Sequence, residues 1–286
     1  MATKVFLGAT NSWANVNNWT GAAIPVTGDD VIIPDSTTQE LTANLDRTAD
    51  NGGAGLHLNS FYVGRGYTGY IGASGAELKC TVKHSNVYDA SITHLGSGEF
   101  WFNSDTGTAG HTTGSIVVDS TNASNAMTIN GDRGVGRLVV DNGKVTLSSA
   151  FAAQLSIVEV MGTSGGATSY FTAGESIGDA IGLIELEAGI VDVSRAVVRA
   201  LVADGRYIQT NHGLLELTQI GGMMHWLTSS DVASLGIATV IGGTLDLTQG
   251  DNQKLVDNLY PGPRATIRGK NNPLVTITND FTREES

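Results

Sequence analysis

Short runs of alternating apolar and polar residues recur along the chain, each broken by a turn containing glycine. The clearest are Leu138–Leu147 around Gly143, Val160–Tyr170 around Gly166, Ile184–Val193 around Gly189, Gln209–Leu217 around Gly213 and Thr239–Leu247 around Gly243. The turn glycines Gly143, Gly166, Gly189 and Gly213 are almost evenly spaced, and only the step to Gly243 is longer. Upstream, Gly53, Gly75 and Gly98 keep nearly the same spacing, and a degenerate turn near Asn122 fills the gap to Gly143. Downstream, Asn271–Ile277 has the form of a last turn and strand. A fixed period of this kind is the signature of a repeat architecture.

Strands of four or five residues are too short to stand alone, but stacked coils pair each with its equivalents above and below. The pattern therefore predicts an all-β chain folded as a single-stranded, right-handed parallel β-helix (a β-solenoid). About ten coils of about 23 residues would give a rod of roughly 45–50 Å at the usual strand spacing. Val145/Leu147, Val191/Val193, Leu215/Leu217 and Leu245/Leu247 are expected to point inward as apolar columns. The competing architecture, an antiparallel sandwich, also turns at glycine but does not explain a constant spacing.

The longer interval before Gly243 contains Ser229–Gly236, which reads as one helical turn capped by serine and closed by glycine. Asp251–Tyr260, ended by Pro261 and Pro263, reads as a second short helix. Arg195–Val202 fits either strand or helix, and the repeat phase favours strand. The organisation expected is an N-terminal cap over 1–50, the β-helix over 51–250, and a short helix with the final coil over 251–286.

Residues 1–50 depart from the repeat. An open end of stacked strands invites aggregation unless it is covered, and two nearby tryptophans, Trp13 and Trp19, are suited to covering it. Pro25, Gly28 and Asp29 form a tight turn into Val31–Ile33. The pattern carried by Trp13, Asn18, Trp19, Gly21, Pro25, Gly28, Asp29, Val31 and Ile33 resembles the opening of β-solenoid proteins in phage and prophage structural genes. Similar openings occur in large bacterial surface proteins. The resemblance is confined to this short stretch and implies a capped β-helix.

Composition agrees with an all-β reading: 37 Gly but 5 Pro among 286 residues, with 41% hydrophobic and 15% charged. Sixteen basic against 28 acidic residues give a net charge of −12, which repels phosphate backbones and argues against nucleic acid as a partner. A single cysteine, Cys80, excludes an intramolecular disulfide and any multi-cysteine zinc site, and is expected as a buried thiol. Met1–Gly8 lacks the apolar core of a signal peptide and no later run is long enough to span a bilayer, so the expectation is folding in a host cytoplasm without a membrane partner.

Parallel β-helices often carry polysaccharide lyases and hydrolases, whose sites cluster carboxylates with basic residues on one outer sheet. The repeat alignment stacks Asp192, Glu216 and Asp246 in one outward column, with Glu185, Glu187 and Asp141 on the preceding strand. Such a column would bind a cation or raise a carboxylate pKa. It is read instead as a solvated acidic face, because no basic residue joins it in phase. His57, His84, His94, His111 and His225 show no ligand spacing, and His212 sits at a coil corner. No catalytic set, metal site or cofactor is therefore expected. The surface candidates are aromatic: Trp13, Trp19, Trp101 and Trp226 as binding or interface residues.

The expected function is that of a non-enzymatic virion structural protein, of the capsid decoration or cement kind. It would be a homotrimer bound to the major capsid protein or another virion protein, and localised to the virion. A tail-fibre or tailspike segment that binds or cleaves host polysaccharide is the second reading, and a fragment of a bacterial adhesin the third. The first rests on the resemblance and on fold analogy.

Overall fold

The computed structural model describes residues 2–82, 92–104, 113–162, 169–175, 180–227 and 233–282. It is a parallel β-helix. Among the described residues 21 strands form one continuous sheet, and the strands pair in parallel throughout it.

Most coils contribute to two ladders. The longer ladder begins at Thr3–Val5, Asp30–Ile33, Ser60–Val63 and Ile92–His94. It continues through Thr113–Asp119, Val135–Asn142, Leu155–Val160, Ile181–Leu186, Val197–Val202 and Leu214–Gln219. It ends with the first halves of Ala233–Asp246 and Lys254–Arg268, and then Val275–Asp280. The shorter ladder runs from Leu78–Lys79 and Phe100–Asn103 through Met127–Asn130, Lys144–Leu147, Tyr170–Ala173 and Ile190–Val193. Arg206–Thr210, Met223–Leu227 and the second halves of Ala233–Asp246 and Lys254–Arg268 complete it. The stretch 1–50 thus holds the first two rungs of the longer ladder as well as the aromatic end.

The coil length is not constant. A long coil carries Val145 to its partner Phe171, whereas much shorter ones carry Val191 to Tyr207 and Tyr207 to Met224. The corner that joins the two ladders is built by Gly143, Gly189, Gly205, Gly222 and Gly243, all with positive φ. At Gly205 a Cβ would lie 2.5 Å from the Gly189 carbonyl oxygen, and at Gly222 it would lie 2.6 Å from that of Gly205. Left-handed backbone and close stacking both demand glycine there. Gly213 is not such a corner: it leads into Leu214–Gln219 of the longer ladder. The expected course from Gly189 through Gly213 to Gly243 therefore passes over two corners, Gly205 and Gly222. Gly166 lies outside the described residues.

The C-terminal helices expected from sequence do not occur among the described residues. Lys254–Arg268 is one long strand that bends from one ladder to the other, and Ala233 opens another; 229–232 lie outside the described residues. The proline pair at 261 and 263 marks this bend rather than a helix stop. The described helical segments are short and fall near the N-terminal end, at Val16–Asn18, Thr20–Ala22 and Asp50–Gly53. Val197–Val202 is a strand, as the repeat phase indicated.

Inward columns fill the interior. Leu138/Val140, Val158/Val160 and Ile184/Leu186 stack in the longer ladder, and Val145/Leu147, Val191/Val193 and Leu245/Leu247 in the shorter, all buried. Each such side chain contributes roughly 1.5–3 kcal/mol. Leu217 is buried but Leu215 is 63% exposed, contrary to the inward placement of both. The longer ladder bends within each strand, so its inward residues flank a pair of outward ones: Leu214 and Leu217, like Leu155 and Val158 or Ile181 and Ile184. Simple alternation slips at that bend. Cys80 is fully buried, and that burial pushes its thiol pKa up.

Candidate functional site

At the N-terminal end the residues of the Trp13–Ile33 pattern are consumed in closing the rod. Trp13 and Trp19 pack with ring centroids 4.8 Å apart, Phe6 joins Trp19 at 5.4 Å, and all three are buried. The Trp19 indole N–H donates to the Trp13 carbonyl at 2.8 Å. The buried Asn18 side chain accepts from the Thr10 amide at 2.7 Å and donates to the Thr10 and Ser12 carbonyls at 2.9 and 2.5 Å. Asp29 accepts from the amides of Ala2 and Val26 at 2.8 and 3.2 Å, closing the turn at Gly28. These contacts leave Trp13 and Trp19 no surface to offer a partner, so they are core rather than interface residues. Trp226 is equally buried, inward in the shorter ladder beside Met224. Trp101 alone of the four faces outward and is half-buried, its indole N–H donating to Glu99 at 3.0 Å.

The acidic column does not form. One outward column of the shorter ladder reads Trp101, Thr128, Thr146, Thr172, Asp192, Ile208, His225, Asp246, Arg268. Ile208 and His225 stand between Asp192 and Asp246, placing the two carboxylates three rungs or roughly 14 Å apart. Glu216 belongs to the longer ladder, between Arg199 and Ile237. The short coils between Gly189 and Gly222 are the cause: aligning Leu215-Glu-Leu217 with Val191-Asp-Val193 skipped a corner. Among the described residues no group of three or more histidine, cysteine or carboxylate side chains is placed to hold a metal. His84 and His111 lie outside the described residues.

Asp246 is tied down locally. Burial alone would raise its pKa, but the Thr248 hydroxyl and amide at 2.6 and 2.9 Å, with His225 and Arg268, hold the carboxyl below its ordinary value. His225 Nδ1 lies 3.4 Å from its Oδ2. A carboxylate so engaged is an anchor for the loop after Leu247, not a poised base.

Sequence reasoning missed the outer flank of the longer ladder. Over its middle strands the flank is charged: Arg137 donates to both oxygens of Glu159 at 2.6 Å, which holds the guanidinium pKa above its ordinary value, and Glu185 follows one rung on. From Val197 onward it mixes Arg199, Glu216, Thr218 and Thr239 with several exposed apolar side chains. Leu215, Ile220, Ile237 and Ile241 are 42–63% exposed, and Tyr260 stacks on Phe281 with centroids 4.4 Å apart beside Lys270, lining an open cleft. The sequence signal was present as neighbouring apolar pairs, Val197-Val198 and Leu214-Leu215, that break alternation.

Comparison of the chain with protein-family models, with curated proteins and with solved structures finds no match. No helix among the described residues is long and apolar enough to cross a membrane.

Proposed function

We propose that this chain is a non-catalytic structural component of a virion, a capsid decoration protein held on the particle by the major capsid protein or another virion protein. The observation that carries the reading is the N-terminal end. The pattern that resembles phage and prophage solenoid openings is used there, residue by residue, to close a parallel β-helix. A stack of short, fully paired strands is a stiff rod with flat sides, suited to attachment.

The test is to delete the gene from the phage or prophage that carries it and to image purified particles with and without the purified chain added back. The reading expects the chain in wild-type particles, and regular density restored on the deleted particles. Particles that lack the chain in the wild type, or that bind none on addition, contradict it.

The stacked pair Tyr260 and Phe281 beside Lys270 favours one second reading, a tail-fibre segment that binds polysaccharide, since exposed aromatic faces stack on sugar rings. That reading expects host glycan to be retained by the chain and released by Tyr260→Ala. Equal retention by the variant removes it.

A further inference from the structure

We infer that the free edge of the last shorter-ladder strand, around Ala265 and Ile267, receives an extended acidic segment of another protein as one further rung. At the first rung of the rod the free side is spent within the chain. The Val5 amide donates to the Thr20 hydroxyl at 3.0 Å, that hydroxyl donates to the Thr3 carbonyl at 3.4 Å, and the Leu7 amide donates to the Asn18 carbonyl at 2.6 Å. The last rung is different. Among the described residues Arg264–Arg268 pairs on one side only, with Gly242–Asp246. The Arg268 carbonyl faces that neighbour, accepting from the Leu247 amide at 3.0 Å. Backbone groups alternate in direction along a strand, so the amides and carbonyls of Ala265 and Ile267 face the free side. Ile267 also continues the buried column of Tyr207, Met224 and Leu245, yet is only partly covered itself. An added strand with apolar residues at alternate positions would satisfy the edge and close the column together.

Charge and the state of the first rung select the occupant. In a chain of net charge −12, the stretch from Arg264 to Asn279 carries Arg264, Arg268 and Lys270 and no carboxylate. Arg264 and Arg268 are exposed at the outward positions that flank Ala265 and Ile267 on this edge. Asp280 answers Lys270, and Asp246 lies one rung behind Arg268. Among the described residues Arg264 has no ion-pair partner. A second copy is a poor fit. Its own last rung would bring the same two arginines against these, and its first rung has already given its edge to Thr20 and Asn18. An extended segment with acidic residues about an apolar alternation meets the arginines outside the rung and Ile267 inside it.

Peptide binding to the purified chain and attachment to particles can fail independently, so the virion reading is tested apart from this one. The probes are fluorescent eight-residue peptides that alternate valine with threonine, flanked by aspartates or by lysines, and fluorescence anisotropy on the full chain reads their binding. The aspartate-flanked peptide is expected to bind with micromolar Kd, and the lysine-flanked one roughly tenfold more weakly. The aspartate-flanked peptide N-methylated throughout keeps its side chains but cannot donate to the edge, and is expected not to bind. Arg264→Glu with Arg268→Glu is expected to reverse the preference between the two flanks at an unchanged far-ultraviolet circular dichroism spectrum. Ile267→Pro, which removes an amide on the free side, is expected to abolish binding. Should either variant misfold, the comparison of the three peptides on the wild type still decides. Absence of binding by the aspartate-flanked peptide at millimolar concentration overturns the inference, as does equal binding by its N-methylated form. So does light scattering that shows the wild type alone pairing through this edge, with the pairing lost in folded Ile267→Pro.

Discussion

At one end of the rod Phe6, Trp13 and Trp19 are buried and braced by Asn18 and Asp29; at the other, Ala265, Ile267, Val275 and Ile277 point inward yet remain only partly covered. The first end joins aromatic volume to two polar side chains, Asn18 and Asp29, whose hydrogen bonds are met inside the turns they close. In the last coils the inward position after Ala233 is taken by Lys254, whose side chain is buried with no hydrogen-bond partner for its amine among the described residues. Burial draws that amine's pKa down. Closing a stack of strands therefore takes more than apolar side chains. The backbone and side-chain polar groups that the last rung exposes must also be satisfied.

The largest effect should come from breaking the closed end. Trp13→Ala empties a fully buried indole site and removes the partner of Trp19, and is expected to cost about 3–5 kcal/mol. Urea unfolding measures it. A loss below about 1 kcal/mol would mean that this aromatic layer packs loosely, an outcome at odds with the burial of both rings.

His94 offers a second contrast, lying inward near the closed end against Phe100 with its ring nitrogen 3.1 Å from the Gly98 carbonyl. Burial lowers its pKa from 6.5 to about 4. Between those values the unfolded chain binds a proton that the folded chain refuses. The stabilisation is thus complete above pH 6.5 and is lost as the pH falls toward 4, by roughly 3 kcal/mol in all. Urea midpoints at several pH values in wild type and His94→Leu sharpen the point, since the variant should lose this component of the slope. The smallest effect belongs to the other end. Lys254→Met removes an unpartnered buried amine and is expected to stabilise the chain by about 1–2 kcal/mol, seen as a higher urea midpoint.

How much of this was legible in the sequence follows from which physical rule was local. The parallel β-helix could be read because alternation and glycine turns repeat wherever a coil is regular, as at Leu138–Leu147 and Thr239–Leu247. Gly143, Gly189 and Gly243 were found as corners for that reason. Gly205 and Gly222 were missed because the coils that end at them are short, so a constant period steps over them. Long coils such as the one from Val145 to Phe171 offset the short ones, and the mean spacing stays close to the expected period. The candidate site suffered more. Column membership depends on every corner being counted, so one missed glycine moved Glu216 onto the wrong ladder and created an acidic column. The tryptophans carried a different ambiguity, since large aromatics serve interiors and interfaces alike and only the three-dimensional path buries Trp13, Trp19 and Trp226. The exposed apolar residues of the outer flank follow from the bend in the longer ladder, where two outward residues separate the inward ones, and their mark in the sequence is a break in alternation such as Leu214-Leu215 rather than alternation itself.

The register itself is the central claim, and paired cysteines test it most directly. Asp192 and Ile208 are partners on adjacent parallel rungs, about 4.8 Å apart and within the span of a disulfide; Asp192 and Glu216 lie on different ladders. Asp192→Cys with Ile208→Cys is expected to cross-link within the chain on mild oxidation, with Cys80 buried and silent, whereas Asp192→Cys with Glu216→Cys is expected to stay reduced. Cross-linking of the second pair in place of the first would contradict the register, and would restore the acidic column that the short coils dissolve.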